Sequence, residues 1–381
     1  MFDPSFIDLL EQSVGRGRSA VILDALEKDA SVSIRLNPAR LRECPFPDAV
    51  RIPWSPYGYI LKERPSFTMD PLFHAGCYYV QDSSAMFVGE VFRRMLDGFS
   101  DGVQVLDLCA APGGKTTDLS ASLHERFGDK FRLIANEVIR KRFQVLRSNV
   151  ETWGDRRTAV VNLDPSRFGV RDLFDIILAD VPCSGEGMFR KDDTAREEWS
   201  RENVEFCAAR QRKILADIWP SLRPGGVLIY STCTFNHLEN DDNLQWAAGE
   251  LGASIADIGP VPEGIVRSRF GYCLLPGYVP GEGQWVGVLR KGGETGAVPA
   301  PDAARILRAE FPAIGTPDYP MVDVDRPTAL AYLHGEAIRL TDAPIGLINV
   351  CYQGHPLGPA KNIGSRCNNL YPKERRIRKD V

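Results

Sequence analysis

The sequence has few of the features that would place it outside the soluble enzymes. No apolar run approaches the ~18 residues of a membrane span. The opening MFDPSFIDLLEQS has neither a basic start nor a long apolar stretch, so no signal peptide is expected. Nine cysteines, at positions 44, 77, 109, 183, 207, 233, 273, 351 and 367, include no C-x-x-C pair. Their odd number and scatter argue against a disulfide framework and a zinc ribbon, and for a reducing cytoplasm. Low-complexity tracts are missing. So is an excess of one charge sign, because the formal net charge is only −4.

Two missing motifs narrow the ligand. The dinucleotide fingerprint G-x-G-x-x-G is absent, since residues 109–114 read CAAPGG. The ending Gly114-Lys115-Thr116 imitates a P-loop, but that pattern needs glycine where Cys109 stands, and Pro112 removes an N–H that would cradle phosphate. Phosphate hydrolysis is therefore disfavoured. Without a pyrophosphate grip, a single adenosine bearing an amino acid suits the loop better than a dinucleotide.

A chain of 381 residues predicts two or three domains. The polar break LDGFSDG (96–102) and the linker-like KGGETGAVPAPD (291–302) divide it into an N-terminal segment 1–100, a core 101–292 and a C-terminal region 293–381. Within the core, apolar β-branched runs at 103–109, 132–138, 159–164, 174–183 and 225–234 alternate with helical patterns near 116–126, 139–152, 195–221 and 237–250. The alternation predicts a doubly wound α/β fold with a mostly parallel sheet covered on both faces. QWVGVLRK (284–291), following the Gly/Pro-rich GYVPGEG, reads as a hairpin-linked antiparallel edge strand.

Ligands of such sheets bind outside the carboxyl ends of the strands. That rule gathers Cys109 to Lys115, Glu137, Asp164, Asp180 with Cys183, and Cys233 at one rim. Glu137, one β-α unit beyond the glycines, is placed to accept from ribose hydroxyls. Each cysteine alone reads as a small buried hydrophobe. Together, at strand ends beside glycine-containing loops, they offer a nucleophile. An adenosyl donor, an acid and a thiol suit methylation of a pyrimidine at C5: thiolate addition at C6 makes C5 nucleophilic, and an acid such as Asp180 neutralises charge at N3.

The stretches LDLCAAPGGKTTDLS, ANEV, ADVPCSGEGMFRKD, ARQRKILADIWPSLRPGGVLIYSTCTFNHLEND and the N-terminal SIRLNP occur in an order that resembles the NOL1/NOP2/Sun family of RNA 5-methylcytosine methyltransferases. The resemblance covers roughly residues 1–290 and implies a Rossmann-like class I methyltransferase core using S-adenosyl-L-methionine. It further implies that Cys233, in the Thr-Cys motif, is the nucleophile and that Cys183 assists product release. By the same resemblance Cys109, Ala110, Ala111, Pro112, Gly113, Gly114 and Lys115 line the donor site, Glu137 meets the ribose, Asp164 lies near the adenine, and Asp180 stands between donor and target base. Lys115 is then a catalytic candidate that reaches Asp180.

The flanks point to RNA. SVSIRLNP (31–38), with Arg35 and Asn37, resembles the family's N-terminal RNA-contacting segment, an α+β element, although Arg35 by itself reads as a charge on an edge strand. Arg190 and Lys191 are further candidate contacts. Residues 361–381 carry seven basic residues against two acidic ones. Among them Lys361, Arg366, Arg375 and Arg376, with Tyr352 and Tyr371 interleaved, suit phosphate binding and base stacking. This end resembles the PUA-like region of the family's bacterial members that act on small-subunit ribosomal RNA. Cys351, His355 and Cys367 are too irregularly spaced for zinc, and no metal is expected. The sequence thus predicts a cytoplasmic, monomeric 16S rRNA cytosine-5 methyltransferase, with RNA or the 30S subunit as partner. Transfer RNA is the alternative substrate, and a vestigial ribosome-assembly RNA-binding factor is the alternative of a different class.

Overall fold

The computed structural model describes residues 2–168, 172–293 and 318–378. Positions 294–302 of the expected linker, and Lys379 to Val381 of the basic tail, lie outside the described residues.

Two helices open the chain, α1 (Pro4–Val14) and α2 (Arg16–Leu26). The Asp3 carboxylate caps α1 by accepting from the Ser5 N–H at 2.7 Å, and Pro4 supplies the preset first turn. Phe6, Leu9, Leu10 and Val14 recur at helical spacing and pack into the core of the central sheet. A four-stranded antiparallel sheet follows, built from β1 (Val32–Leu36), β2 (Val50–Arg51), β3 (Gly58–Leu61) and β4 (Tyr78–Val80) in the order β2-β3-β1-β4. Between β3 and β4 lies the short α3 (Pro71–His74), and α4 (Met86–Leu96) then leads to the core.

The core alternates β5 (Val103–Asp107), α5 (Gly114–Phe127), β6 (Phe131–Asn136), α6 (Arg140–Trp153), β7 (Thr158–Val161), β8 (Phe174–Asp180), α7 (Asp193–Glu197), α8 (Arg201–Ile218), β9 (Leu222–Thr232) and α9 (Asp241–Glu250). Strands β5 to β9 are parallel in the order β7-β6-β5-β8-β9, with the switch of winding direction between β5 and β8. Successive residues of each strand enter opposite cores: Leu106, Ile134, Ile177 and Leu228 on one face, Val105, Leu133, Ile176 and Ile229 on the other. Near-continuous apolar strands are what a sheet covered on both faces demands. The fold is thus a Rossmann-like α/β core with α+β flanks.

Two local expectations are corrected. The helix read over 195–221 is broken, because Ser200 adopts extended backbone and caps α8 by accepting from the Asn203 N–H at 3.1 Å. The strand β13 (Gln284–Lys291) is antiparallel to β9, as its hairpin connection predicted, yet it is not an edge. β10 (Ala253–Ala256), β11 (Val266–Arg267) and β12 (Tyr272–Leu274) extend the sheet beyond it. These short strands carry too little periodicity to be read in advance.

After the core come β14 (Met321–Asp323), the helix Arg326–His334, β15 (Gly346–Tyr352), β16 (His355–Asn362) and β17 (Cys367–Asn369). The four strands form one sheet in chain order. Tyr332, Leu333, Ile348 and Tyr371 share an apolar cluster with Ile34, Leu36 and Leu72, so the two flanks are packed together.

Candidate active site

Four acidic residues stand at or just beyond the carboxyl ends of adjacent strands: Asp164 after β7, Glu137 after β6, Asp107 ending β5 and Asp180 ending β8. The glycine-rich loop leaves β5 between them and enters α5. Gly113 has φ +112°, a left-handed conformation that glycine adopts without strain, and it turns the chain into the helix. The loop is pinned from outside. Ala110 N–H donates to Asn136 O at 2.8 Å, Arg142 Nη2 donates to Ala111 O at 2.8 Å, and Asn149 Nδ2 donates to Pro112 O at 2.7 Å.

Two buried carboxylates at this rim have spare acceptor capacity. Glu137 Oε1 accepts from the Ile139 N–H at 2.8 Å, whereas Oε2 has no hydrogen-bond donor and only Arg142 Nη1 at 3.4 Å. Asp107 Oδ2 accepts from Thr116 Oγ1 at 2.7 Å, and its Oδ1 is unpartnered. Burial pushes the Asp107 carboxyl up to about 7. Asp107 was not singled out in the sequence, although an acid closing an apolar strand just before the glycines is the signal that would have found it. Asp164 is exposed, and Ser166 holds its carboxyl below the usual range by hydrogen bonds to Oδ1 from its hydroxyl and its N–H.

The remaining groups converge beside the loop. Lys115 Nζ lies 2.9 Å from Asp180 Oδ2. Burial opposes the charge on Lys115, but Asp180 outweighs it and the ammonium pKa is raised. Asp180 Oδ1 accepts from Ser231 Oγ at 2.7 Å and from Gln284 Nε2 at 3.3 Å. Cys183, three residues past β8, and Cys233, directly past β9, bring their Sγ atoms to 3.3 Å. Fifty residues apart in sequence, they meet because β8 and β9 are paired parallel. Sequence reasoning missed Ser231 and Gln284, which orient Asp180, and a buried network behind the cysteines built on Glu186, Asn236 and Glu239.

Several expected RNA contacts are buried or paired within the protein. Arg35 is fully buried, at 0% exposure, and Asn37 is 2% exposed. β1 lies inside its sheet, between β3 and β4, so Arg35 is no edge charge. Its guanidinium donates to Gln81 Oε1 at 2.8 Å and Gly114 O at 3.1 Å, and stacks on Trp153 at 4.8 Å. Asn37 Nδ2 donates to Gly76 O and Trp153 O. The Arg190 side chain is 8% exposed and pairs with Glu282 at 2.7 Å, with Lys191 near the same carboxylate. Arg375 is engaged with Ser148 and Glu151 on α6, and Arg376 donates to Tyr371 O. Lys361 and Arg366 are exposed, as are Lys373 and Arg378. Among the described residues no group of His, Cys, Asp and Glu is arranged to hold a metal ion, and no helix is long and apolar enough to cross a membrane.

Residues 95–249 match the family described as 16S rRNA methyltransferase RsmB/F. Residues 2–83 match the N-terminal domain of 16S rRNA methyltransferase RsmF, and residues 319–377 match the methyltransferase RsmF PUA domain. A ribosomal RNA small subunit methyltransferase F from Salmonella paratyphi A is 33% identical over 306 residues, covering 73% of this chain and 61% of that protein. The protein of the same name from Pectobacterium atrosepticum is 34% identical over 261 residues, covering 66% and 52%. The chain thus spans only about half to three-fifths of the length of these relatives. Among solved structures, a methyltransferase homolog from Pyrococcus horikoshii superposes with TM-score 0.63 at 26% identity, covering 76% of this chain and 95% of that one. An NSun6 protein from Pyrococcus horikoshii with SFG has TM-score 0.63 at 19% identity, covering 76% and 98%, a likeness of fold.

Proposed function

The chain belongs to the 16S rRNA methyltransferase RsmB/F family, and from that premise we propose that it methylates C5 of a cytosine in 16S ribosomal RNA with S-adenosyl-L-methionine as donor. The observation that carries the reading is the Cys183–Cys233 contact at 3.3 Å, formed beside the Lys115–Asp180 pair at the rim that holds the glycine-rich loop. A dinucleotide or phosphoryl enzyme has no use for two thiols there.

The residues present fit an adenosyl donor. Glu137 Oε2 and Asp107 Oδ1 are buried acceptors without hydrogen-bond donors, suited to ribose hydroxyls and an ammonium respectively. Gly114 lets the start of α5 pack closely on β4, because a Cβ there would stand 3.2 Å from the Tyr79 ring, and this close packing fixes the end of the loop. Asp164, exposed at the next strand end, is the group for the adenine. Bound there, S-adenosyl-L-methionine supplies the electrophilic methyl group.

The chain's own residues account for activation of the base. Cys233 adds through Sγ to C6, and the electron pair of the C5=C6 bond makes C5 nucleophilic. The proton held between Lys115 and Asp180 is the one available to neutralise N3. Ser231 and Gln284 fix the Asp180 carboxylate so that this proton is aimed rather than merely present. Release requires transfer of the C5 proton to a base, solvent water being the one always available; the N3 proton returns to the Lys115–Asp180 pair, the C5=C6 bond reforms, the C6–S bond breaks, and Cys233 departs as thiolate. Cys183 assists this last step. A cytosine inside a helix hides C5 and C6 from any pocket, so the target is unpaired or flipped out.

The test is transfer of label from radioactive S-adenosyl-L-methionine to free 16S RNA, assembled 30S subunits and bulk transfer RNA offered in parallel. Label in 16S RNA or 30S subunits, as 5-methylcytosine, is expected; label in no RNA would mark a binding factor instead. Cys233→Ala should abolish transfer while donor binding persists, and retained turnover would remove Cys233 as nucleophile. Cys183→Ala should accumulate a protein–RNA adduct, visible as a slow gel band.

A further inference from the structure

Two buried acids behind the cysteines have no part in the chemistry above. Glu186 and Glu239 are 1% and 0% exposed. Glu186 follows Cys183 by three residues, yet its Oε2 accepts from the backbone N–H groups of Phe235 at 2.6 Å and Asn236 at 3.2 Å, in the loop after Cys233. Glu239 belongs to that second loop, and its Oε2 accepts from the Ser184 N–H, adjacent to Cys183, at 3.1 Å. Each carboxylate therefore grips the loop of the other cysteine. Asn236 Nδ2 sits 2.9 Å from an oxygen of both. Gln211 Nε2 donates to Glu239 at 2.7 Å and to Pro182 O at 3.0 Å, and Trp199 Nε1 donates to Glu186 at 3.2 Å. The loops also touch directly: Gly187 N–H donates to Cys233 O at 2.8 Å, where a Cβ would lie 2.8 Å from that oxygen.

All of these donors are neutral. No ion pair joins either acid to a lysine or arginine among the described residues, an unusual state for two carboxylates buried together. The surroundings of the sulfur pair are consequently lopsided. On the Cys183 side stand Glu239 and the Tyr230 hydroxyl, which donates to Glu239 O at 2.6 Å, with Cys207, Arg210 and Arg212 beyond. On the Cys233 side stand the Lys115 ammonium and its partner Asp180.

We propose that Glu186 and Glu239 are positioning residues: a reciprocal clamp that holds the two cysteine loops together, in which the charge of Glu239 beside Cys183 keeps the proton of the Cys183–Cys233 pair on Cys183, leaving the thiolate on Cys233. Ionisation of the pair releases one proton to solvent; the other stays on Cys183 Sγ, which donates to Cys233 Sγ. The inference deepens the proposed function by giving a physical reason for the choice of nucleophile, and it rests on that reading only in its catalytic consequence. The Cys183 thiol is pushed up by its hydrogen bond to Cys233, then by burial and by the charges of Cys233 and Glu239. Glu239 is itself pushed up to about 7 by burial and by Glu186. The bias therefore strengthens as Glu239 ionises with rising pH.

Alkylation by iodoacetamide, followed at each cysteine by peptide mass spectrometry in the full chain without RNA or donor, tests this. Cys233 should be labelled faster than Cys183, and the ratio should rise as pH passes through about 7. In Glu239→Gln the ratio should fall about tenfold, the effect of moving one thiol by a pKa unit, and lose its pH dependence. Glu239→Asp, which keeps the charge, should restore most of the bias, whereas a merely structural role would not distinguish Asp from Gln by charge. Faster labelling of Cys183 in the unaltered protein, or an unchanged ratio in folded Glu239→Gln, overturns the proposal. If Glu239→Gln does not fold, the labelling order and its pH dependence in the unaltered protein decide. Correct labelling with no methyl transfer to any RNA would instead count against the proposed function alone.

Discussion

Asp107 shows what one buried side chain implies. Its carboxyl is raised by burial to about 7, above the range of an unfolded aspartate, so the folded state prefers it protonated. The stability this contributes is present below about pH 4 and is lost as pH rises through about 7. Urea unfolding at pH 5 and pH 8 should show that loss, with Glu239 adding a component of the same sign. Asp107→Asn should flatten the dependence by an amount on the order of 3 kcal/mol. Arg35 is the converse case. Its charge is compensated by Asp118 at 3.7 Å and by neutral acceptors, although burial still lowers its pKa. Arg35→Ala should cost about 3–5 kcal/mol in a denaturation curve by stranding that pairing, and it should leave the salt dependence of RNA binding unchanged. As a residue type arginine suggests a surface; only the strands on both sides of β1 reverse that reading.

At the scale of elements, the loop between β5 and α5 owes its shape to its neighbours. Arg142 on α6 does two things at once: it donates to Ala111 O and lies 3.4 Å from the Glu137 carboxylate. Arg142→Ala should therefore weaken donor binding by roughly five- to tenfold in calorimetry, an energy near that of one ordinary hydrogen bond, with little change in melting temperature because the side chain is half exposed. The strands β5 to β9 were legible because each is a short apolar run bounded by turns, and their pairing follows from the alternation with helices. β10, β11 and β12 were not legible, since strands of two to four residues take their conformation from the partner they meet.

For the whole molecule, the packing of the C-terminal region on the N-terminal sheet makes the flanks one surface beside the core. With Arg190 and Arg375 tied up in ion pairs, we propose that phosphate binding rests on the exposed Lys361, Arg366, Lys373 and Arg378. Replacing these four by alanine should reduce the slope of log affinity against log salt by about three for RNA, measured by filter binding, while leaving donor affinity intact. An unchanged slope would move the RNA footprint elsewhere.

The sequence by itself determined the chemistry on offer. CAAPGGKT, DVPC and STCT name a glycine-rich loop and two thiols, and their places at the ends of apolar runs name the rim of a parallel sheet. Those facts are local, because strand propensity, turn residues and ligand-bearing side chains are written within a few positions of one another. What the tertiary structure decided is which groups meet and which are withdrawn from solvent. Cys183 and Cys233 reach 3.3 Å because two strands pair, Glu186 and Glu239 exchange loops behind them, and Arg35 leaves the surface because its strand is flanked on both sides. Burial and proximity arise from contacts between residues distant in the chain, and no spacing along it encodes them.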